Sequence, residues 1–234
     1  LDIDLNPSLG VNALNFNNNK APFNNYTLRL AVSYALDYAS LRDIVQGGYG
    51  QIGSTGILPE DFPNYIETEK LSTNKAMAED LLDSLGYLDI DADGYREYPN
   101  GSKFQPLMIL SSSTTWVRAA EIIEDNLQDV GIDVQLKIVT SGFAAEKRKR
   151  EYDMVLSGTS QAGTFAWESY YTTVTDGNAG LGDAQIFDLE FQALISQLRN
   201  AVTDEDMEQA AADIQNYYAD NLPCLVLYWS QIIQ

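Results

Sequence analysis

The sequence predicts an α/β domain built on a mixed, mostly parallel sheet with helices packed against it. From Phe104 onward, strand-like and helix-like segments alternate, an order typical of strands connected by helices. Gly131 separates a helix-like segment from a strand-like one, and glycine commonly ends a helix. With 234 residues, 45% of them hydrophobic, the chain is large enough to bury a substantial core. We therefore expect residues 1–234 to form one domain.

The elements follow from caps and periodicity. Residues 1–20 are polar and predicted to be extended. Asn24 or Asn25 can cap a helix over 27–45, and Thr73 or Asn74 can cap a helix over 75–85 that Gly86 ends. The intervening residues 47–72 predict an irregular connection. Strands are predicted over 104–110, 132–139, 152–158 and 224–229, and helices over 117–130, 144–151, 187–199 and 204–219.

Charge and composition exclude several function classes. The formal net charge of −20 repels nucleic acid and anionic lipid, so neither is an expected partner. Histidine is absent, which removes the commonest general base and metal ligand. The single cysteine, Cys224, lies in an apolar run and is expected to be a buried hydrophobe. We therefore do not expect an enzyme. A carboxylate-based extracellular hydrolase and a structural or adhesive surface domain remain alternatives.

Membrane segments are not predicted. No apolar run approaches the roughly 20 residues that a spanning helix needs. The opening LDIDLNPSLG lacks the basic start of a signal peptide, as expected of a mature exported protein.

Five segments, in order, resemble the family 5 extracellular solute-binding proteins of peptide and nickel ABC importers. They are LNFNNNKAPFNNYTLRLAVSYALD near the start, KAMAEDLLDSLGY with its acidic turn and YREYPNG, EIIEDNLQDVGIDVQLKIV, YDMVLSG, and NLPCLVLYW near the end. The resemblance extends over nearly the whole chain.

This resemblance implies a periplasmic-binding-protein-like lobe, the second of two, with residues 1–20 leading into it and with its two ends close together. Such proteins trap a small solute, by default a peptide, between two lobes and deliver it to an ABC permease. A monomer outside the cytoplasm is implied, in the periplasm or as a cell-surface lipoprotein whose N-terminal lipid anchor is absent from this sequence.

Two loops are candidates for ligand contact, because ligands of open α/β sheets bind at the carboxyl ends of strands. The first follows the strand over 104–110, and its hydroxyls and helix N-terminal amides suit a polar group. Ordinary helix capping by Ser or Thr is the alternative reading. The candidate residues of this first loop are Ser112, Ser113, Thr114 and Trp116.

The second candidate loop follows Gly158. In peptide-binding members this segment carries an aromatic residue and an Asp that pairs with the peptide amino terminus; here Thr159 and Ala162 occupy those places. Ala162 cannot pair with an ammonium group, so a neutral or sugar-like ligand is an open alternative. The candidate ligand-contacting residues of this second loop are Thr159, Ser160, Gln161, Phe165 and Trp167. Core packing is the alternative role for Phe165 and Trp167.

The acidic turn after Tyr87 has the alternating oxygens and central glycine of a calcium loop, D-x-D-x-D-G. Asn100 stands where a bidentate Glu is expected, and a solvated turn is the alternative. We expect at most a structural Ca²⁺, and no other cofactor. The candidate ligands are Asp89, Asp91, Asp93, Tyr95 and Glu97.

Overall fold

The computed structural model of the protein describes residues 5–60, 62–160, 182–186 and 188–233. The strands are β1 (Leu5–Phe16), β2 (Gln51–Ile52), β3 (Leu107–Ser111), β4 (Gln135–Val139), β5 (Met154–Ser160) and β6 (Cys224–Ile233). The helices are α1 (Tyr26–Ala35), α2 (Tyr38–Gln46), α3 (Lys75–Ser84), α4 (Thr114–Gln128), α5 (Phe143–Arg148), α6 (Leu189–Arg199) and α7 (Asp204–Asn221). None of these helices is long and apolar enough to cross a bilayer.

The strands form one sheet in the order β2-β6-β1-β5-β3-β4. β3 pairs in parallel with β4 and with β5, whereas β1 pairs antiparallel with both β5 and β6, and β2 antiparallel with β6. β3, β4, β5 and β6 therefore run in one direction. The predicted α/β class with a mixed sheet is confirmed, but most neighbouring pairs are antiparallel, because β1 is inserted between two strands that run opposite to it.

The extended N-terminal segment is an interior strand of the sheet. β1 lies between β5 and β6, and its residues Leu14 and Phe16 are completely buried. Leu5 pairs with Ile233 of β6, so the two ends of the described chain lie side by side, as the resemblance implies.

Helices cover both faces of the sheet. Leu14 and Phe16 of β1 pack in a large apolar core with α1, α2, α3 and α4, while Val11 and Ala13 of the same strand pack in a second core with α6 and α7. This alternation follows from the two-residue period of a strand. Cys224 lies in the second core, 3% exposed, where burial raises the pKa of its thiol to about 12; the prediction of an inert buried cysteine is confirmed.

The helix predicted over 27–45 is broken into two. Leu36 is extended, and the Asp37 side chain accepts a hydrogen bond from the backbone N–H of Ser40 to cap α2. Two tertiary contacts satisfy the freed backbone groups: Thr73 Oγ1 donates to Leu36 O at 2.6 Å, and Asp37 N donates to Asn126 Oδ1 at 2.8 Å. Because helical periodicity continues across the break, local pattern alone could not reveal it.

Candidate functional site

The carboxyl ends of β3 and β5 meet at one edge of the sheet, which we call the carboxyl edge. It comprises Ser111 and the loop after it, Gly158 near the end of β5, Asn12 on β1 and Ser230 on β6. β1 is antiparallel to β5, so the amino-terminal half of β1 lies beside the carboxyl end of β5.

The loop between β3 and α4 presents hydroxyl groups to solvent. Ser112, Ser113 and Thr114 are exposed, and Ser113 is the N-cap residue of α4. The Ser113 side chain makes no capping hydrogen bond, so the capping interpretation does not account for its hydroxyl. The first-turn N–H groups of α4 lie beside these hydroxyls and provide donors for a polar ligand group.

Trp116 projects from the first turn of α4 toward β5. A Cβ placed on Gly158 would lie 3.1 Å from Cη2 of Trp116, 3.1 Å from Oδ1 of Asn12 and 2.7 Å from the carbonyl oxygen of Val11. Only glycine permits this approach without displacement of a neighbour. Trp116 is partly buried against the core, while Gly158 remains exposed. The indole, the Asn12 amide and bare backbone thus share one small surface.

Asn12 and Ser230 extend this surface toward β6. Asn12 Nδ2 donates a hydrogen bond to Ser230 Oγ at 2.8 Å, across a sequence separation of 218 residues. Neither residue is among the sequence-based candidates. No local motif marks them, because their proximity comes from the pairing of the first and last strands.

The second predicted loop is only partly described. Thr159 and Ser160 continue β5 and pair with Val11 and Gly10 of β1. Gln161, Phe165 and Trp167 lie outside the described residues, as does Ala162. Their predicted contact with a ligand stays a prediction.

A buried polar network lies directly before Gly158 in β5. The carboxylate of Asp183, 2% exposed, accepts a hydrogen bond from Ser157 Oγ and forms an ion pair with Lys147 Nζ at 2.7 Å. Asn15 Nδ2 donates to Ser157 Oγ at 3.0 Å, and Tyr152 OH donates to Asp183 O at 2.7 Å. The network joins β1, β5, α5 and the segment 182–186, and thereby fixes the backbone that leads to the carboxyl edge.

The acidic turn brings three of its five predicted ligands together. Carboxylate oxygens of Asp89, Asp91 and Glu97 lie within 4.8 Å of one another. Glu97 is 7% exposed, and its Oε2 accepts a hydrogen bond from Ile90 N at 2.7 Å. Asp93 is not in this group; its Oδ1 accepts instead from the N–H of the fifth candidate, Tyr95, at 2.8 Å. The calcium site stays a prediction.

The described side chains of the carboxyl edge are hydroxyl, amide and indole groups. Among the acids, partial burial and neighbouring acids raise the pKa of Glu124, which lies on α4 and not in the loops or strand ends of the carboxyl edge. At this edge, the arrangement suits hydrogen bonding and stacking with a ligand rather than acid–base chemistry.

Comparison with known proteins gives a family match over most of the chain. The family described as "Bacterial extracellular solute-binding proteins, family 5 Middle" matches residues 1–180. Heme-binding protein A of Haemophilus influenzae is 27% identical over 202 residues, which are 81% of this chain and 34% of that protein. The probable D,D-dipeptide-binding periplasmic protein DdpA of Escherichia coli is 26% identical over 215 residues, 89% of this chain and 38% of that protein.

A solved structure shows the same fold. The oligopeptide-binding protein AppA of Bacillus subtilis, in complex with a nonapeptide, superposes with a TM-score of 0.84 at 20% identity, covering 98% of this chain and 46% of AppA. The chain thus spans about a third of the length of the two curated relatives, and less than half of AppA.

Proposed function

Since this chain belongs to the bacterial extracellular solute-binding proteins of family 5, we propose that it is one lobe of an ABC importer's receptor. The lobe captures a small solute against a second lobe and delivers it to a permease. Closure of two lobes buries the ligand from both sides, and one lobe supplies only part of the contacts.

The observation that carries this proposal is the open carboxyl edge. Ser113 has a hydroxyl without a capping bond, Trp116 offers an indole, and exposed Gly158 offers bare backbone. Together they provide donors, acceptors and a stacking surface for a ligand held from the opposite side. This edge also lies beside Leu5 and Ile233, where the chain would connect to the rest of a two-lobed protein.

The solute class is a peptide by default, with neutral solutes as the alternative. The names of the relatives specify a heme, a D,D-dipeptide and an oligopeptide as bound molecules, so the shared fold accommodates different ligands. Ala162 offers no charge to pair with the ammonium group of a peptide. Its presence therefore favours a sugar, a metal complex or a peptide that binds without an ion pair at its amino terminus.

The cellular setting follows from the same proposal. The lobe acts outside the cytoplasm, in the periplasm or as a cell-surface lipoprotein, as a monomer that contacts ABC permease subunits. The net charge of −20 disfavours nucleic acid as a partner. No enzymatic activity is proposed, because catalysis by two carboxylates would require a converging acid pair at the ligand site.

The test is a thermal-shift screen of the full-length protein against peptides, sugars and nickel or heme complexes, followed by calorimetry of each hit. We expect Trp116→Ala to weaken binding of the hit at least tenfold; because the indole also packs against the core, some lowering of the urea midpoint is expected, and binding is compared at temperatures where the variant is fully folded. Leu189→Ala, a change at an exposed site on α6, is the matched control. Tight binding by residues 1–234 alone, or turnover of the hit, would contradict the two-lobed receptor.

A further inference from the structure

A glycine-rich turn extends the carboxyl edge on the side of β6 that faces away from β1. Residues 47–50, Gly-Gly-Tyr-Gly, connect the end of α2 to β2, and we call them the glycine turn. Because β2 is antiparallel to β6, with Gln51 opposite Trp229, the residues before Gln51 lie toward the carboxyl end of β6. The glycine turn therefore lies at the same edge of the sheet as Ser230.

Gly50 holds the glycine turn close against β6. A Cβ placed on Gly50 would lie 2.5 Å from the carbonyl oxygen of Trp229 and 3.9 Å from Cα of Ser230. The φ of Gly50, 114°, is also one that residues with a side chain rarely adopt. Gly158 lies equally close to the carbonyl oxygen of Val11 at the other side of β1. Bare backbone is thus required at two places along the carboxyl edge.

A polar floor lies between these two glycines. The strand order places β6 and β1 between β2 and β5, and the hydrogen bond from Asn12 Nδ2 to Ser230 Oγ spans that interval. Both side chains belong to partly exposed residues. The amide oxygen of Asn12 accepts no hydrogen bond among the described residues, and the Ser230 hydroxyl, which accepts from Asn12, keeps its own proton to donate. The floor therefore offers one acceptor and one donor to a ligand that lies across the strands.

Tyr49 lies at the end of this floor that is remote from Trp116. Its side chain is 37% exposed and belongs to none of the apolar cores formed by the described residues, so core packing does not account for it. A Cβ on Gly47 would lie 3.9 Å from Cδ2 of Tyr49, so the ring lies against the end of α2.

The two aromatic residues lie on the same face of the sheet. α2 and α4 pack against each other and share the core that contains Leu14. Asn12 points to that face, because it lies two residues before Leu14 in the same strand. Tyr49, directly after α2, and Trp116, in the first turn of α4, therefore flank the polar floor at its two ends.

The spacing of the strands sets the length of ligand that can contact both rings. Three strand spacings separate Gly50, beside β2, from Gly158 on β5, which amounts to about 14 Å. An extended peptide covers that distance in about four residue steps. A dipeptide, a single sugar ring or a compact metal complex is too short to reach both Tyr49 and Trp116.

We propose that Tyr49 is a specificity-determining residue, which stacks on the far end of a ligand held at Trp116 and thereby selects chain-like solutes over compact ones. The proposal rests on the proposed function, since it assigns a second aromatic contact to the ligand site of the same receptor lobe. Oligopeptides and oligosaccharides share the required chemistry, which is a chain with polar groups along its length and a stacking group at each end.

The experiment is calorimetry of the full-length protein with two pairs of ligands that differ in length. One pair is the peptides Tyr-Tyr and Tyr-Ala-Ala-Ala-Tyr, and the other is mannobiose and mannotetraose, so the pair that binds distinguishes a peptide from a sugar. Wild type should bind the longer member more tightly. Tyr49→Ala should weaken binding of the longer member about tenfold, as expected for the loss of one stacking contact, and leave the shorter member unchanged. Tyr49→Phe, which keeps the ring, should bind both like wild type.

Two controls separate this assignment from the receptor function. Tyr26→Ala removes a tyrosine of similar exposure, 40%, that lies beside Ala219 near the end of α7, at the opposite end of the sheet, and it should change neither affinity. Trp116→Ala should weaken binding of both lengths.

Three results would overturn the role of Tyr49. They are a Tyr49→Ala protein that binds both lengths like wild type, one that loses affinity equally for both lengths, and a wild-type protein that binds no longer member of either pair. In each case the receptor function survives if another solute of the wider screen binds and Trp116→Ala weakens it, and it fails only if that screen gives no ligand.

Discussion

The indole of Trp116 and the bare backbone of Gly158 face each other at the carboxyl edge, so closely that a Cβ on Gly158 would lie 3.1 Å from Cη2 of Trp116. The contact couples the first turn of α4 to the end of β5. It places the edge of the indole beside a residue that is itself exposed.

Gly158→Ala should therefore disturb the edge. The added methyl would also lie 2.7 Å from the carbonyl oxygen of Val11, so either β1 or the indole must move. We expect a loss of about 1–3 kcal/mol in the free energy of unfolding, as for overpacked sites, and a shift in tryptophan fluorescence. Urea denaturation of the full-length protein measures the change in the free energy of unfolding. Ser112→Ala, exposed on the same edge, should change neither quantity, and an unaltered Gly158→Ala protein would disprove the close contact.

The ion pair of Lys147 with buried Asp183 should matter far more than the neighbouring pair of Lys149 with Glu146. Lys147→Met leaves the Asp183 carboxylate, 2% exposed, without its cation, and such losses cost about 3–5 kcal/mol. Lys149→Met removes a pair whose lysine side chain is 52% exposed, so water and salt screen it and its loss should change stability little. Chemical denaturation at neutral pH compares the two. Equal losses would mean that the Asp183 network does not hold the structure together.

Alkaline pH should unfold the protein through its buried tyrosines. Burial raises the pKa of Tyr87 and of Tyr228 to about 12, above the ordinary value of about 10. Between pH 10 and 12 the unfolded chain loses protons that the folded chain keeps. Stability is therefore fully present below pH 10 and falls as the pH rises toward 12. Urea midpoints between pH 8 and 12 measure this slope.

Tyr228→Phe tests the origin of that slope. Burial dominates the raised pKa of the Tyr228 hydroxyl, and a hydrogen bond from the Gln46 side chain opposes it, so removal of the hydroxyl should change stability at neutral pH by at most about 1 kcal/mol. The alkaline slope should become shallower. Tyr49→Phe, at a partly exposed site, should keep the wild-type slope. A slope in Tyr228→Phe that is as steep as that in Tyr49→Phe would rule out this explanation.

The acidic turn yields a separate test. If Asp89, Asp91 and Glu97 hold a structural Ca²⁺, millimolar calcium should raise the thermal midpoint of the full-length protein relative to chelator, by mass action. Asp91→Asn should abolish that increase. Asp93→Asn, outside the carboxylate group, should retain most of it. A wild-type midpoint that calcium does not move would eliminate the site.

Local chemistry predicted most of the elements. Asn25 and Asn74 cap α1 and α3 through their side chains, as expected of residues whose amide oxygens accept backbone N–H bonds. Gly86 and Gly131 have positive φ two and three residues beyond the last residues of α3 and α4, as their positions indicate. β3, β4 and β5 begin two or three residues later than predicted, because the flanking apolar residues belong to the core but not to the strand ladders.

The candidate site was only partly predictable. Ser112, Ser113, Thr114 and Trp116 could be selected because a loop after a strand has a known place in α/β sheets. Asn12 and Ser230 could not, since their proximity depends on a pairing across 218 residues.

The sequence by itself determined the alternation of elements, their caps and the acidic, histidine-free composition, because these depend on neighbours a few residues apart. Tertiary structure alone decided that polar, asparagine-rich β1 occupies the middle of the sheet, that α1 and α2 separate at Leu36, and that Asn12 of β1 reaches Ser230 of β6 at the carboxyl edge. Each of these depends on hydrogen bonds and packing between distant segments. A single-sequence pattern does not encode which partners will satisfy them.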